Sequence, residues 1–525
     1  MGVLRVTFTF RTITEAFVLN EGFRLHRITM SLNSDKVKII FGLKIRQLRL
    51  DKKLSLNDIA TKSNLSISYL NEIEKGKKYP KTEKIMALAS AFEVDYDSLV
   101  SLKLSKQLEP IAELLNSNIL TELPLEIFGI EPSDFIELMS QAPAKISAFI
   151  STIIEISRNY DMRVEQFYFS VLRSYQEMHD NYFEDLEEAA QQFRKLFEIT
   201  NTTSPNETLL KEILENFYQY SIEEFTPEQH PDLKSLRSIF NRNTNKLLIN
   251  STLSSEQKAF TYGREIGYQY LQIKNRSYIS SVIEAESFEQ VLNNFRASYF
   301  ARAILINKNI LIDRLTYFFA SPKWDADMLL NIMRLFSVTP EVFMHRISNV
   351  MTSHFNIKNL FFLRFNNQVD DNLFYLTKEM HLAKLHTPHG TAMNEHYCRR
   401  WMSLTILKDL EDIQKENGSN DEKLLCNAQI SEYIDTGNNY LIICLAKPSP
   451  PNRKTNSSIT LGFAIDDNLK NIVNFLSDSS LVHRKVNETC ERCGLTDCAE
   501  RVIEPIILQK TLQRKKLKDA VAGLL

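Results

Sequence analysis

No stretch of this 525-residue chain approaches the roughly 18–20 uninterrupted apolar residues that a membrane span requires. The first 29 residues, Met1 to Thr29, lack the compact apolar run and the small-residue cleavage site of a signal peptide, although Arg5, Arg11, Arg24 and Arg27 give them a basic tint. With neither span nor signal, a cytoplasmic protein with no membrane partner is expected. Cysteine is scarce: there are six. In a chain this long, that excludes the disulfide framework of a small secreted domain and makes metal ligation the better expectation for the three that cluster near the C-terminus. Met30 opens a segment that reads like a natural N-terminus, so residues 1–35 are expected to be a misassigned start, with a disordered or organelle-type leader as the alternative.

The chain is too long for one core, and three or four domains are expected. A hydrophobic share of 43% with 24% charged residues is that of a soluble globular protein. The net charge of −2 hides an asymmetry. Residues 36–84 hold 13 Lys/Arg against 5 Asp/Glu, a net of +8 on a body that is acidic in sum. A basic module on an acidic body is the electrostatic footprint of a protein that binds phosphate backbones.

Residues 36–103 read as five short helices. The first, about Val37 to Lys52, places Ile40, Leu43 and Leu48 near one face. Ser55 caps a second helix, with Asp58 as the acid of a capping box. Ser66 caps a third, which buries Leu70 and Ile73 and stops at Gly76, suited to a left-handed position. A fourth follows Pro80 with Ile85, Leu88 and Ala89. The run from Ser55 to Gly76 resembles the Cro/C1-type (XRE) helix-turn-helix family. That resemblance implies a third helix lying in the major groove of double-stranded DNA. Ser66, Ile67, Ser68 and Asn71 would face the bases, with Asn71 suited to adenine and Ile67 to a thymine methyl. Asn57, Lys77 and Lys78 are placed for phosphates, and Tyr69 for either task. The structural alternative is a helical protein-interaction module with a solvated basic face.

Residues 104–240 are helix-rich and glycine-poor, as in the apolar run 146–154 and in Phe167 to Leu172, and read as a helical linker or dimerisation segment. The aromatic stripe Phe167, Tyr168, Phe169 and Tyr175 is better explained by core packing than by a ligand wall. The stretch Thr200 to Glu207 reads as a loop. Residues 255–271 resemble the active-site helix of the zincin-like domain of ImmA/IrrE-type proteins, and Phe295 to Ile306 the helix that follows it; the domain is assigned to residues 241–355. In an active zincin two histidines four apart bind zinc, and the intervening Glu is the general base. Here Arg264 and Tyr268 hold the histidine positions and only Glu265 remains. An arginine offers no lone pair to zinc. A degenerate, non-peptidase domain is expected, with Glu265 paired to Arg264 or a neighbour.

Beyond Phe355 the period becomes extended. Segments 360–365, 372–377, 440–446 and 458–464 read as strands of one antiparallel or mixed sheet, within a sensor domain over residues 356–505. The fold class expected for the chain is therefore multidomain, mainly α, with an α+β C-terminal half. Cys490, Cys493 and Cys498 have a C-x2-C-x4-C spacing suited to a shared centre. A [4Fe-4S] cluster needs a fourth ligand, for which Cys398 is the first candidate; Cys426 and Cys444 are weaker ones. Zinc held by the three cysteines and a histidine such as His396 or His483 is the alternative. The basic tail, residues 506–525, reads as a solvated helix end.

The chain from Lys36 to Pro505, including Ser174 to Leu186 and the Cys498-Ala-Glu-Arg501 run, resembles the XRE-type short-chain fatty acyl-CoA regulators of bacteria. The resemblance implies a transcription factor, not an enzyme, whose C-terminal half carries an iron-sulfur cluster and binds a CoA thioester. Reading two half-sites implies a homodimer, and a metabolite that prefers one conformer would change operator affinity. The insertion carrying His386, His389 and His396 departs from the family pattern and leaves the fourth ligand open. Two other functions compete: a redox or iron sensor without an acyl-CoA ligand, and a protease that cleaves a partner repressor. The missing zinc ligands weigh against the latter.

Overall fold

A computed structural model describes residues 37–38, 40–101, 164–200, 204–279, 285, 287–369, 373–382, 395–417, 423–449 and 455–523. The chain divides into two compact units, Met1–Phe167 and Tyr168–Leu525. The leader, the apolar run 146–154, His386 and His389 lie outside the described residues.

In the first unit the described residues form five helices: α1 (40–51), α2 (Leu56–Ser63), α3 (Ile67–Glu74), α4 (Thr82–Phe92) and α5 (Tyr96–Val100). Both expected caps form. Ser55 and Asp58 exchange the two hydrogen bonds of a capping box on α2, and the Ser66 hydroxyl accepts from the Tyr69 amide on α3. Gly76 takes φ +67°, the left-handed position expected of it. Phe41, Ile45, Ile59, Leu70, Ile73, Leu88 and Phe92 make one core. A Cβ on Gly42 would stand 2.3 Å from the Ile73 carbonyl oxygen, so α1 rides directly on the end of α3.

The second unit opens within α6 (Val164–Met178) and continues with α7 (Glu184–Leu196) and α8 (Glu207–Glu212). A small sheet follows: β1 (Ser221–Phe225), β2 (Ser238–Asn241) and β3 (Lys246–Asn250), in the order β1-β3-β2 with β1 parallel to β3. β1 and β2 correct the sequence reading, which carried helix as far as residue 240. Strands of four or five residues such as Ser-Ile-Glu-Glu-Phe leave too short a period to detect. Five helices then run in succession: α9 (Ser255–Tyr270), α10 (Phe288–Leu305), α11 (Lys308–Phe319), α12 (Ala326–Leu335) and α13 (Pro340–Ser353).

The larger sheet has the order β5-β4-β8-β7-β6-β9, built from β4 (Leu360–Gln368), β5 (Phe374–His381), β6 (Leu425–Tyr433), β7 (Asn439–Pro448), β8 (Thr455–Ala464) and β9 (Val482–Val486). Its pairs are antiparallel except β6 with β9. Helix α14 (Met402–Asn417), with Leu404, Leu407 and Leu410, packs against one face, where Tyr440, Ile442 and Cys444 point. Leu441, Ile443 and Leu445 point to the other, into the core shared with α11 to α13. Burial on both faces explains why Tyr440 to Ala446 reads as an unbroken apolar run. Helices α15 (Asp467–Ile472) and α16 (Ile506–Ala522) complete the chain, and no residue of α16 is buried. The sequence anticipated β4, β5, β7 and β8 and missed β6, whose Asn427, Gln429 and Ser431 interrupt the apolar pattern, and the short basic β9. No helix among the described residues is long and apolar enough to cross a membrane.

The helical half is pinned by a buried ion pair. Glu187 of α7 accepts from Arg346 of α13 through both carboxylate oxygens, at 2.9 Å for Oε2, and from the Tyr299 hydroxyl of α10 at 2.8 Å. Arg346 is 1% exposed. Replacing Glu187 by Gln leaves that guanidinium uncompensated, and the expected cost in urea-induced unfolding is about 3–5 kcal/mol.

Candidate functional site

Three places concentrate the chemistry expected from the sequence. The first is the outer face of α3. Ser66, Ile67, Ser68 and Asn71 are exposed on it, as are Asn57, Lys77 and Lys78 beside it. Ser66 is committed to the cap through its hydroxyl. The first turn of α3 holds no acidic residue, so the positive end of its dipole is left for an anion. Tyr69 is half-buried, with the Lys84 ammonium 4.0 Å and the Lys78 ammonium 5.7 Å from its ring centre. Lys78 also meets Glu72 at 2.7 Å, which ties it to α3, while Lys77 remains exposed. The helix is oriented by Arg49 of α1, which grips the buried Glu74 at 2.7 and 2.9 Å. Sequence reasoning missed both Lys84 and this clamp, because charged residues within amphipathic helices read as solvated.

The second place is the middle of α9. Arg264, Glu265 and Tyr268 are all buried, Glu265 to 1% exposure. Of the two partners expected for Glu265, Arg264 or a neighbour, the structure shows a neighbour: Arg276, at 2.7 and 2.6 Å from its two oxygens, while Arg264 donates to the Ser238 hydroxyl at 3.4 Å. Arg276 is held over the rings of Tyr268, at 3.9 Å, and Phe240, at 4.4 Å. The Tyr220 hydroxyl approaches Glu265 at 3.5 Å and accepts from Gln269 at 2.8 Å. The segment carrying Arg276 is fastened to the edge of the small sheet, with the Phe240 amide donating to the Tyr278 carbonyl at 2.8 Å and Ile239 bridging Ile279. A general base must reach a proton on water or substrate. Glu265 is closed off from both by a guanidinium and two aromatic rings. A double-mutant cycle is predicted to show strong coupling: Arg276→Leu and Glu265→Leu each destabilise by about 3–5 kcal/mol, and the double variant loses less than either, as read by equilibrium unfolding.

The third place is the corner that gathers the cysteines. Residues 396–398 pair antiparallel with 488–490: Tyr397 bridges Thr489, the Cys490 amide donates to the His396 carbonyl at 2.9 Å and the Cys398 amide to that of Glu488 at 3.1 Å. Glu395 takes Arg492 at 2.8 and 2.6 Å, and Glu491 takes His396 Nδ1 at 2.8 Å. Arg501 donates to the carbonyls of Cys490 and Cys493, at 3.1 and 3.2 Å, so it braces the loop. Cys398 thus joins Cys490 and Cys493, all three buried, whereas Cys498 is half-exposed and turns to Glu500 at 3.6 Å. Cys426 and Cys444 lie in the sheet, and His483 on β9. The donor chemistry suits a thiolate-ligated centre. As arranged, however, no group of three or more His, Cys, Asp or Glu among the described residues could hold a metal ion.

Comparison with known proteins divides along the same lines. The helix-turn-helix family model matches residues 45–99, and the model of the IrrE N-terminal-like domain matches residues 225–348. The chain is similar to the HTH-type transcriptional repressor RghR of Bacillus subtilis, 39% identical over 61 residues, 11% of this chain and 45% of RghR. It is also similar to the HTH-type transcriptional regulator DdrOP3 of Deinococcus deserti, 33% identical over 57 residues, 11% of this chain and 44% of that protein. The chain thus spans under half the length of these relatives. Among solved structures, a Mycobacterium tuberculosis transcriptional regulator superposes with a TM-score of 0.44 at 16% identity, over 64% of this chain and 93% of that one.

Proposed function

We propose that the protein is a sequence-specific regulator of transcription that binds double-stranded DNA through α3, and that it is not an enzyme. The observation that carries the proposal is the outer face of α3: a capped helix start free of acidic residues, with Ile67, Ser68 and Asn71 exposed, lysines beside it and a net charge of +8 over residues 36–84. The match to the helix-turn-helix model and the printed names of the relatives support it. The sealing of Glu265 by Arg276 supports a middle domain kept for binding rather than proteolysis. A cytoplasmic homodimer on a two-half-site operator fits such a reader.

The body is the sensor in this reading, responsive to a small metabolite such as a short-chain acyl-CoA. The cysteine corner is where a [4Fe-4S] cluster, or zinc, would be held by Cys398, Cys490, Cys493 and Cys498; bound there, it would supply a structural or redox-sensitive anchor between the two segments that carry the thiols. The gathering of Cys398 beside Cys490 favours a second reading, a redox or iron sensor without an acyl-CoA ligand. Iron, sulfide and zinc analysis of anaerobically purified protein separates the two metals.

Selection of random duplexes by the full chain is expected to return one sequence motif. Asn71→Ala then loses about 1–3 kcal/mol of discrimination at one base pair, while Lys77→Ala weakens all duplexes alike. Recovery of no preferred sequence would overturn the assignment.

A further inference from the structure

Helix α16 carries more charge of one sign than a solvated helix end needs. Lys510, Arg514, Lys515, Lys516 and Lys518 stand against one carboxylate, Asp519, a net charge of +4 over residues 506–522. All five cations are exposed, and none makes a hydrogen bond or an ion pair among the described residues. A solvated helix face ordinarily interleaves the two signs, because opposite charges three or four residues apart attract along the helix. Here Lys510, Arg514 and Lys518 follow one another at four-residue spacing, so like charges sit one turn apart and repel. The helix dipole does not account for them either, since the last turn holds no basic residue.

Packing does not offset that repulsion. No residue of α16 is buried, and a helix of 17 residues without tertiary burial is marginal in water. It is fastened at its start, where Leu508 lies 3.5 Å from a Cβ placed on Gly494 of the cysteine loop. From Lys510 onward every described residue is exposed. Leu512 and Leu517, at 49% and 67% exposure, lie on different faces of the helix, which breaks an apolar seam for a partner helix. Lys510, Arg514 and Lys518, by contrast, form one stripe, each about 6 Å further along the axis than the last.

We propose that this stripe of α16 is a second contact for duplex DNA, made to the phosphate backbone and therefore independent of sequence. A polyanion relieves the repulsion among Lys510, Arg514 and Lys518, and each phosphate neutralised releases counterions. Lys515 and Lys516 add to the same positive field. The contact presupposes the duplex partner proposed above and gives it a hold outside the helix-turn-helix. Backbone contacts of this class position and strengthen a complex while base contacts, here those of α3, specify it.

The test is the salt dependence of duplex affinity for the full chain and for its triple variant Lys510→Gln, Arg514→Gln, Lys518→Gln, on a selected duplex and on a shuffled one. Gln keeps the helix propensity of Lys and Arg, and with no residue of α16 buried the urea midpoint is expected to stay unchanged. Loss of three phosphate contacts per chain is expected to flatten the slope of log affinity against log salt by about 3. Between about 50 and 200 mM salt the wild-type chain then loses about 40-fold more affinity than the variant. Both duplexes are expected to be affected alike, so the ratio between them stays as in the wild type. A control variant, Lys195→Gln, Lys234→Gln, Lys274→Gln, removes the same charge from exposed positions elsewhere in the body and is expected to keep the wild-type slope. A slope unchanged in the α16 variant, or lowered equally in the control, would overturn the proposal and leave α16 to a protein partner or to solvent. Failure of the regulator reading shows differently, as equal wild-type affinity for the two duplexes.

Discussion

A carboxylate buried in the middle of a helix must be neutralised, and how that is done decides what the middle of this protein can be. Glu265 lies on α9 at 1% exposure. With arginine and tyrosine at the positions where metal ligands would stand, its counter-charge comes from Arg276, brought in by a segment stitched to the edge of the small sheet. The same solution recurs at Glu187 and Arg346. In both cases a guanidinium makes two-point contact with a carboxylate and joins elements distant in sequence. Such pairs add little net stability over an apolar core, but they cannot be half removed. They fix which helices face each other while closing Glu265 to water.

Paired residues distant in sequence also shape the two ends of the protein. In the first unit the same device, Arg49 on Glu74, sets the angle of α3 against α1. Gly42 allows the two to approach closely enough for the clamp to reach. In the second unit, the pairing of residues 396–398 with 488–490 joins the start of α14 to the cysteine loop across the sheet. A ligand that shifted either segment would be felt by the other.

Much of this was legible in the sequence where the signal is local. The caps at Ser55 and Ser66, the left-handed Gly76, the outward placement of Ile67, Ser68 and Asn71, and four strands of the larger sheet follow from period, turn chemistry and propensity. The non-local features were not. Arg276 lies outside the motif that drew attention to Glu265, and only the fold shows that it reaches back to α9. Lys84 reaches the Tyr69 ring from another helix. The short strands β1 to β3 and the polar β6 owe their pairing to neighbours rather than to their own pattern, because strand preference is largely a property of the surface a strand meets. Cysteine spacing pointed to the corner, where the segment of Cys398 pairs with that of Cys490 and the Cys498 thiol meets Glu500.

The central claim is that the basic first unit reads duplex sequence. Its most direct test is the affinity of the full chain for a selected duplex and for a shuffled one, measured across a range of salt. The account predicts that both affinities fall as salt rises, in proportion to the phosphates neutralised, and that the selected duplex stays about 10³-fold tighter or better throughout. Equal affinity for the two duplexes, converging on no binding at high salt, would contradict it and leave the basic face as a surface for non-specific contact.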